Sequence, residues 1–181
     1  MIQIIGGRYR SRKIETPSSL TTLPTKNMVR GAMMSALGCF DNARVLDLYA
    51  GSGALGIEAL SRGARHCLFV EKDPAANRIV RDNLALLKEG NAEVWLSEDK
   101  KALERMKNEK WHFDIVFLDP PYALKEAYQY DVDYLLREGM ADSNTKFILE
   151  YEGEIPFDTG EFGFCREYHY GKTRLLYIRK E

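Results

Sequence analysis

The turn Asp119-Pro120-Pro121-Tyr122, which follows the apolar run 113–118, carries the groups needed to hold a flat, amino-bearing ring. Each proline fixes φ and lacks a backbone N–H, so the turn is rigid and its carbonyl oxygens face no competing donor. Asp119 adds a carboxylate acceptor, and Tyr122 adds an aromatic face on which a base can stack. These groups suit the exocyclic amine of adenine, cytosine or guanine. The turn therefore predicts a nucleic-acid amino-methyltransferase, with Asp119, Pro120 and Tyr122 as its catalytic residues.

A glycine-rich loop at residues 51–56 has the G-x-G-x-x-G spacing of a dinucleotide-binding fingerprint, and Glu71 lies where a ribose-binding acid is expected. Asp47, just ahead of the loop, would repel a pyrophosphate but suits the cationic ammonium group of S-adenosylmethionine. The loop therefore favours S-adenosylmethionine over a nicotinamide cofactor. In this interpretation the loop backbone closes around the methionine part, Glu71 binds the ribose hydroxyls and Asp99 lies near the adenine amino group.

Predicted strands and helices alternate through the middle of the chain, as expected from their hydrophobic periodicity. Helices are predicted at 27–37, after the glycine loop to Ser61, at 74–87, from Asp99 to about Asn108, and at 126–137; strands are predicted at 44–48, 67–71, 92–96, 113–118, 146–151, 164–170 and 174–179. This order predicts a doubly wound, Rossmann-like α/β sheet that is mostly parallel and ends in an antiparallel hairpin.

Four acidic residues follow successive predicted strands. Asp47, Glu71, Asp99 and Asp119 each lie at or just past the carboxyl end of a strand. In open parallel sheets ligands bind at this edge. One such acid alone is more often a helix cap or a solvated turn, but four at one edge predict a ligand site.

The first thirty residues are basic. They hold six lysines and arginines against one glutamate, whereas the whole chain has a net charge of −1. A basic arm that also contains glycines and an aromatic residue suits phosphate contact and base stacking. We therefore predict an N-terminal arm at residues 1–26, built as a small strand or hairpin extension, and a methyltransferase domain at residues 27–181.

The composition is that of a compact enzyme. The chain has 181 residues, of which 45% are hydrophobic and 29% are charged. It has no apolar stretch of the roughly 20 residues that span a bilayer, and it begins without a signal-peptide pattern. Three scattered cysteines argue against a disulfide framework, and no zinc-binding spacing is present. We predict a cytoplasmic protein without a metal site, monomeric by default and without membrane contact.

Several motifs resemble one known family. The segment 47–64, Asp47-Leu48-Tyr49-Ala50-Gly51-Ser52-Gly53-Ala54 and onward to Ala64, is very similar to the first motif of the RsmD-type 16S rRNA (guanine-N2)-methyltransferases. The opening Ile4-Ile5-Gly6-Gly7, the Pro24-Thr25 pair before the helix, Val70-Glu71-Lys72-Asp73, the Asp-Pro-Pro-Tyr turn and the tail around Gly171-Lys172 match as well.

The resemblance implies methyl transfer from S-adenosylmethionine to the N2 amine of a guanine in 16S rRNA, within an assembled or assembling small ribosomal subunit, with S-adenosylhomocysteine as product. The implied cofactor-binding residues are Asp47, Tyr49, Ala50, Gly51, Ser52, Gly53, Gly56, Glu71, Lys72, Asp99 and Asp119. The implied RNA-binding residues are Arg8, Arg10, Arg12, Lys13, Thr25 and Arg30. The chain departs from the family pattern at Leu23, Gly31 and Met34, in the region expected to hold RNA and cover the cofactor.

Three other functions are compatible with parts of this pattern. An amino-methyltransferase acting on adenine N6 of DNA or RNA would share the proline turn, but the chain leaves little room for a separate DNA-reading domain. A non-catalytic RNA-binding module would predict a damaged catalytic turn, whereas this turn is intact. A nicotinamide oxidoreductase would share the glycine loop and would have no use for the turn.

Overall fold

The computed structural model describes residues 1–17, 24–121, 125–155 and 157–180. Its core is a seven-stranded sheet of order β5-β4-β3-β6-β7-β9-β8. The strands are β1 (Ile2–Gln3), β2 (Lys13–Ile14), β3 (Arg44–Asp47), β4 (His66–Glu71), β5 (Ala92–Leu96), β6 (Ile115–Leu118), β7 (Lys146–Glu152), β8 (Phe164–Tyr170) and β9 (Thr173–Arg179). The helices are α1 (Pro24–Leu37), α2 (Ala54–Ser61), α3 (Pro74–Leu87), α4 (Asp99–Asn108) and α5 (Lys125–Arg137).

The predicted fold class is confirmed. Strands β3 to β7 pair in parallel, and β9 and β8 complete the sheet as an antiparallel hairpin. The order reverses between β3 and β6, which is the topological switch point where such sheets bind ligands. Two apolar clusters cover the two faces of the sheet. Within the described residues, no helix is long and apolar enough to cross a membrane.

Alternating residues of each strand divide between those two clusters. Val45 and Ile148 pack with α1, α2 and α3 on one face, whereas Leu46 and Leu149 pack with α4 and α5 on the other. Asp47 and Glu150 continue the first set, two residues beyond Val45 and Ile148. Both carboxylates therefore lie on the face that α1 and α2 cover, at the carboxyl end of their strands.

Most predicted boundaries lie within one residue of the structure, and the starts of α1 and β6 differ most. Helix α1 begins at Pro24 and not at Asn27, because proline fits the first helical position, where its missing N–H is not needed. The predicted division between residues 26 and 27 therefore falls inside α1. Strand β6 begins at Ile115 and not at Phe113, because the Phe113 N–H donates to the Met140 carbonyl outside the sheet.

The N-terminal residues form a small antiparallel pair, β1 with β2, that packs on helix α2. Glu58 of α2, fully buried, accepts the backbone N–H groups of Ile5 at 2.9 Å and Gly6 at 2.8 Å. The Ser61 hydroxyl donates to the Gly6 carbonyl oxygen and accepts the Tyr9 N–H. The N-terminal pair is therefore held by the buried polar side chains of α2.

Candidate active site

An open cleft lies at the carboxyl ends of the central strands. Its volume is about 820 Å³ with the open mouth included. The lining residues are Ile2, Thr16, Val29, Arg30, Asp47, Tyr49, Ala50, Gly51, Ser52, Ala54, Leu55, Asp119, Glu150 and Thr173. The cleft thus joins the start of the glycine loop to the first residue of the proline turn, the two motifs singled out in the sequence.

The glycine loop needs glycine at two positions for different reasons. Gly53 has φ of 77°, in the left-handed region, and ends the loop as the residue before α2. Gly56 lies inside α2, where an added Cβ would come within 2.2 Å of Phe69 Cε1 and 2.6 Å of Cys67 Sγ on β4. The loop therefore brings α2 directly onto the sheet and fixes the floor of the cleft.

Carboxylates already occupy two backbone donors of this loop. Glu71 accepts the Gly51 N–H at 2.8 Å and also the N–H of Asp73, while Asp47 accepts the Gly56 N–H at 3.0 Å. A pyrophosphate would need such donors and would meet two negative charges. The loop is therefore suited to a cationic ligand, and its geometry argues against a dinucleotide.

Asp47 is buried at the floor of the cleft. Burial raises the pKa of this carboxyl to about 7, the hydrogen bond from Gly56 opposes that rise, and the charge of Glu71 adds to it. A neighbouring positive charge would favour the ionised form of such a group. Asp47 is therefore placed to respond to a bound cation.

Tyr49 connects the loop to two acids on the other side of the cleft. Its hydroxyl lies 2.6 Å from Asp131 Oδ2 and 3.2 Å from Asp99 Oδ2. Since the hydroxyl has one proton, it donates to one carboxylate at a time. Asp131 is fully buried, and burial raises its pKa to about 7, with the Tyr49 hydrogen bond opposing the rise. Burial also raises the pKa of Tyr49, as do the two carboxylates.

Sequence reasoning missed Asp131 because it lies inside a helix, far along the chain from Tyr49. Its Oδ1 atom is buried and has no hydrogen-bond partner among the described residues. Glu150 was also missed, although a signal existed: it lies near the carboxyl end of β7, where the rule that selected the other acids applies.

The other predicted site residues occupy different positions relative to the cleft. Asp119 is exposed and lines it, and Pro120 beside it is buried. Ala50 and Ser52 line it as well. Lys72 is exposed on the loop after β4. Tyr122 lies outside the described residues.

The predicted RNA-binding arginines of the arm lie on the surface near α3. Arg8 forms an ion pair with Glu89, and Arg12 donates to the Leu86 carbonyl at 3.3 Å. Arg10 and Lys13 are exposed. The backbone of Thr25 lies in the first turn of α1. These positions leave a basic surface on the N-terminal pair.

Arg30, which was also predicted to bind RNA, is not on that surface. The residue is only 6% exposed, and its Nη2 donates to the Gln3 carbonyl at 2.5 Å and to Asn27 Oδ1 at 3.2 Å. Glu58 lies 3.7 Å from its Nε. The apolar residues around it in α1 face the sheet, so the helix turns this arginine inward, where it lines the cleft.

Relatives of known description place the chain in a family. The family described as Conserved hypothetical protein 95 matches residues 2–179. The chain belongs to this family. Ribosomal RNA small subunit methyltransferase D of Escherichia coli (strain K12) is 41% identical to this family member over 183 residues, covering 99% of this chain and 90% of that protein. YlbH of Bacillus subtilis (strain 168) is 34% identical over 184 residues, with 99% of each chain covered. The predicted resemblance is therefore confirmed at the level of the family.

Solved structures share the fold of this family member. The protein yhhF from Escherichia coli superposes with a TM-score of 0.85 at 34% identity, covering 99% of this chain and 98% of that chain. The Thermus thermophilus 16S rRNA N2 G1207 methyltransferase, solved with AdoMet and guanosine, superposes with a TM-score of 0.69 at 24% identity, covering 91% and 45% of the two chains. At that identity the second likeness shows the fold alone.

Proposed function

We propose that this protein transfers a methyl group from S-adenosylmethionine to the N2 amine of a guanine in 16S rRNA, with position 966 as the target. The observation that carries the proposal is the single cleft lined by both Asp47 with the glycine loop and Asp119 of the proline turn. The relatives named ribosomal RNA small subunit methyltransferase D support an rRNA methyltransferase. The guanine, its N2 amine and its position are the finer part of the proposal.

The residues present fit S-adenosylmethionine. When bound, it supplies an electrophilic methyl group and leaves as S-adenosylhomocysteine. Asp47 attracts its ammonium group, Glu71 binds its ribose and Asp99 lies by its adenine. Because the Gly51 and Gly56 N–H groups already donate to carboxylates, the loop favours this cation over a pyrophosphate.

Asp119 and Pro120 position the amine. The lone pair of an aromatic amine is delocalised into its ring, which makes it a weak nucleophile. The Asp119 carboxylate and the Pro120 carbonyl each accept one N–H and turn the lone pair toward the methyl group. The amine lone pair would form the new N–C bond as the S–C bond to the methyl group breaks, with that bond's electron pair staying on sulfur, and the methylated amine would then lose one proton to Asp119 or to water. Orientation and desolvation supply most of the acceleration.

The RNA is bound on the basic surface of the N-terminal arm. The RNA phosphates are contacted by Arg8, Arg10, Arg12 and Lys13. Thr25 lies in the first turn of α1. Tyr122 stacks on the target base, which must be unpaired or flipped to reach the cleft. The substrate is 16S rRNA in an assembled or assembling small subunit, the protein acts as a cytoplasmic monomer, and no membrane is involved.

The catalytic role of Asp119 is tested by Asp119→Ala. We expect S-adenosylmethionine binding, measured by calorimetry, to be retained, and the single-turnover methyl-transfer rate to fall about 100- to 1000-fold because one preorganised acceptor is lost. Asp82→Ala on α3, whose side chain is 68% exposed, serves as the control and should leave the rate unchanged. An Asp119→Ala variant with near-wild-type turnover would contradict the proposed chemistry.

A further inference from the structure

Glu150 is a second carboxylate in the cleft, and the mechanism described above gives it no role. Leu118 pairs with Leu149 in the last parallel pair between β6 and β7, so Asp119 and Glu150 are the next residues on neighbouring strands. Neighbouring strands lie about 4.8 Å apart. Both residues line the cleft. Two carboxylates therefore lie on neighbouring strands at the position proposed for the target base.

Arg30 of α1 supplies a donor to the same cleft. Its Nη2 hydrogens are used by Gln3 and Asn27, and its Nε is buried without a hydrogen-bond partner among the described residues. No described residue accepts a hydrogen bond from its Nη1 group. Burial lowers the pKa of Arg30, while the charges of Glu58 and Glu150 raise it. The two hydrogen bonds from Nη2 fix the position of this guanidinium, and it is close enough to Glu150 for the two charges to interact.

The order of these groups matches one base edge. Guanine presents two adjacent donors, N2–H and N1–H, followed by the O6 acceptor. Adenine presents a donor at N6 and an acceptor at N1. A carboxylate opposite N1 therefore binds guanine and repels the N1 lone pair of adenine, and an unmade hydrogen bond in such a site is costly.

We propose that Glu150 and Arg30 select guanine: the Glu150 carboxylate accepts the N1–H of the base, and the Arg30 guanidinium donates to O6 while Asp119 accepts from N2. This inference rests on the proposed function and adds the residues that set its base specificity. It also gives the buried Arg30 a base contact in place of the phosphate contact predicted from the sequence.

Competition by two nucleosides tests the inference. Guanosine and 2-aminopurine riboside both carry the N2 amine, but the second lacks N1–H and O6. Each is added to methyl transfer from labelled S-adenosylmethionine to small ribosomal subunits that lack the modification. We expect guanosine to inhibit the wild-type protein at a concentration at least about tenfold lower than 2-aminopurine riboside does, because the analogue cannot form the hydrogen bonds to these charged groups.

In Glu150→Ala we expect guanosine to lose most of this advantage. Its inhibition weakens because the N1–H acceptor is gone, and inhibition by 2-aminopurine riboside improves because its N1 lone pair no longer faces a carboxylate; the Arg30 contact to O6 remains. Glu150→Gln keeps one acceptor oxygen and a similar shape, so we expect a smaller loss and a folded protein even if the alanine variant is unstable. Glu152→Gln is the matched control, because Glu152 lies two residues further along β7, is exposed and is absent from the cleft lining. S-adenosylmethionine affinity should be unchanged in all three variants.

If the ratio of the two inhibitory concentrations is unchanged in both Glu150 variants, the inference is overturned. It is also overturned if the wild-type protein methylates guanine but is inhibited equally, or not at all, by the two nucleosides. A loss of cofactor affinity equal to the loss of activity would also overturn it, since that pattern indicates a structural role. Labelled N2-methylguanosine from the wild type leaves the proposed function standing in each of these cases. Label in adenine would instead remove the proposed function itself.

Discussion

Position 56 tolerates no side chain, because α2 lies directly against β4 at that point. A Cβ on Gly56 would come within 2.2 Å of the Phe69 ring, which is fully buried and cannot move away. We expect Gly56→Ala to reduce the free energy of unfolding by about 2 to 3 kcal/mol through overpacking. Gly31→Ala in α1 is the control, since its Cβ would lie at an ordinary contact distance of 3.6 Å from Ile5. We expect this substitution to increase the free energy of unfolding by about 0.5 to 1 kcal/mol, because alanine favours the helix more than glycine does. Urea unfolding measures both, and equal effects would contradict this packing.

Asp131 makes stability depend on pH. Because burial raises its folded pKa to about 7, above the ordinary carboxyl pKa of 3.8, the folded state binds more protons than the unfolded state between those pH values. Stability therefore falls as pH rises through this window. We expect Asp131→Asn to remove this loss and to be more stable than the wild type at pH 8 by about 1 to 2 kcal/mol.

The matched control for this prediction is Asp133→Asn, an exposed residue of the same helix. It should leave the pH dependence unchanged. Urea unfolding of the three proteins at pH 5 and pH 8 gives the comparison. The same slope with pH in the wild type and in Asp131→Asn would show that Asp131 is ionised in the folded protein.

Residues that the sequence identified are those whose place follows from local rules. Asp47 lies at the carboxyl end of one predicted strand and Asp119 directly after another, so the topology alone brings them to one edge. Asp131 and Glu58 could not be found in this way, because each lies inside a helix and acquires its role from a partner more than fifty residues away. Arg30 carried a misleading signal: its charge suggested the surface, whereas the helix face it occupies is buried.

At the scale of elements, Glu58 fixes the N-terminal pair to α2. It is fully buried, accepts the N–H groups of Ile5 and Gly6, and receives the Nε–H of Arg62 at 3.0 Å. Removing it leaves these donors and the cation of Arg30 without their acceptor. We expect Glu58→Ala to cost about 3 to 5 kcal/mol, as when one partner of a buried pair is removed.

This loss should be greatest at the N-terminal pair. Hydrogen exchange followed by mass spectrometry should show that Glu58→Ala accelerates exchange, relative to the wild type, more in residues 1–17 than in β3 and β4. Arg78→Ala is the control, because its ion pair with Asp82 is largely exposed and contributes little. Uniform acceleration throughout the chain, or none, would argue against this role of Glu58.

The elements themselves were largely predictable. Helix α3 and strand β5 have the predicted bounds, because Pro74 and the alternation of 92–96 are strong local signals. Helix α1 and strand β6 differ at their first residues. The start of α1 follows from Pro24, whereas the start of β6 depends on the hydrogen bond from Phe113 to the distant Met140, which local periodicity does not encode.

At the scale of the whole molecule, the sheet gathers three kinds of group at one edge. The glycine loop follows β3, the proline turn follows β6, and Glu150 of β7 lines the cleft beside them. Helix α1 and the N-terminal pair form the opposite wall of the cleft. Ile2 and Thr16 of the N-terminal arm line that wall, whereas Arg8 and Arg12 lie against the end of α3.

The most direct test of the account is methyl transfer from labelled S-adenosylmethionine to small ribosomal subunits from cells lacking this gene, followed by nucleoside analysis of the 16S rRNA. We predict label in N2-methylguanosine. Label found instead as N6-methyladenine in DNA would keep the chemistry of the site and contradict the guanine assignment, and no transfer to either nucleic acid would contradict the account as a whole.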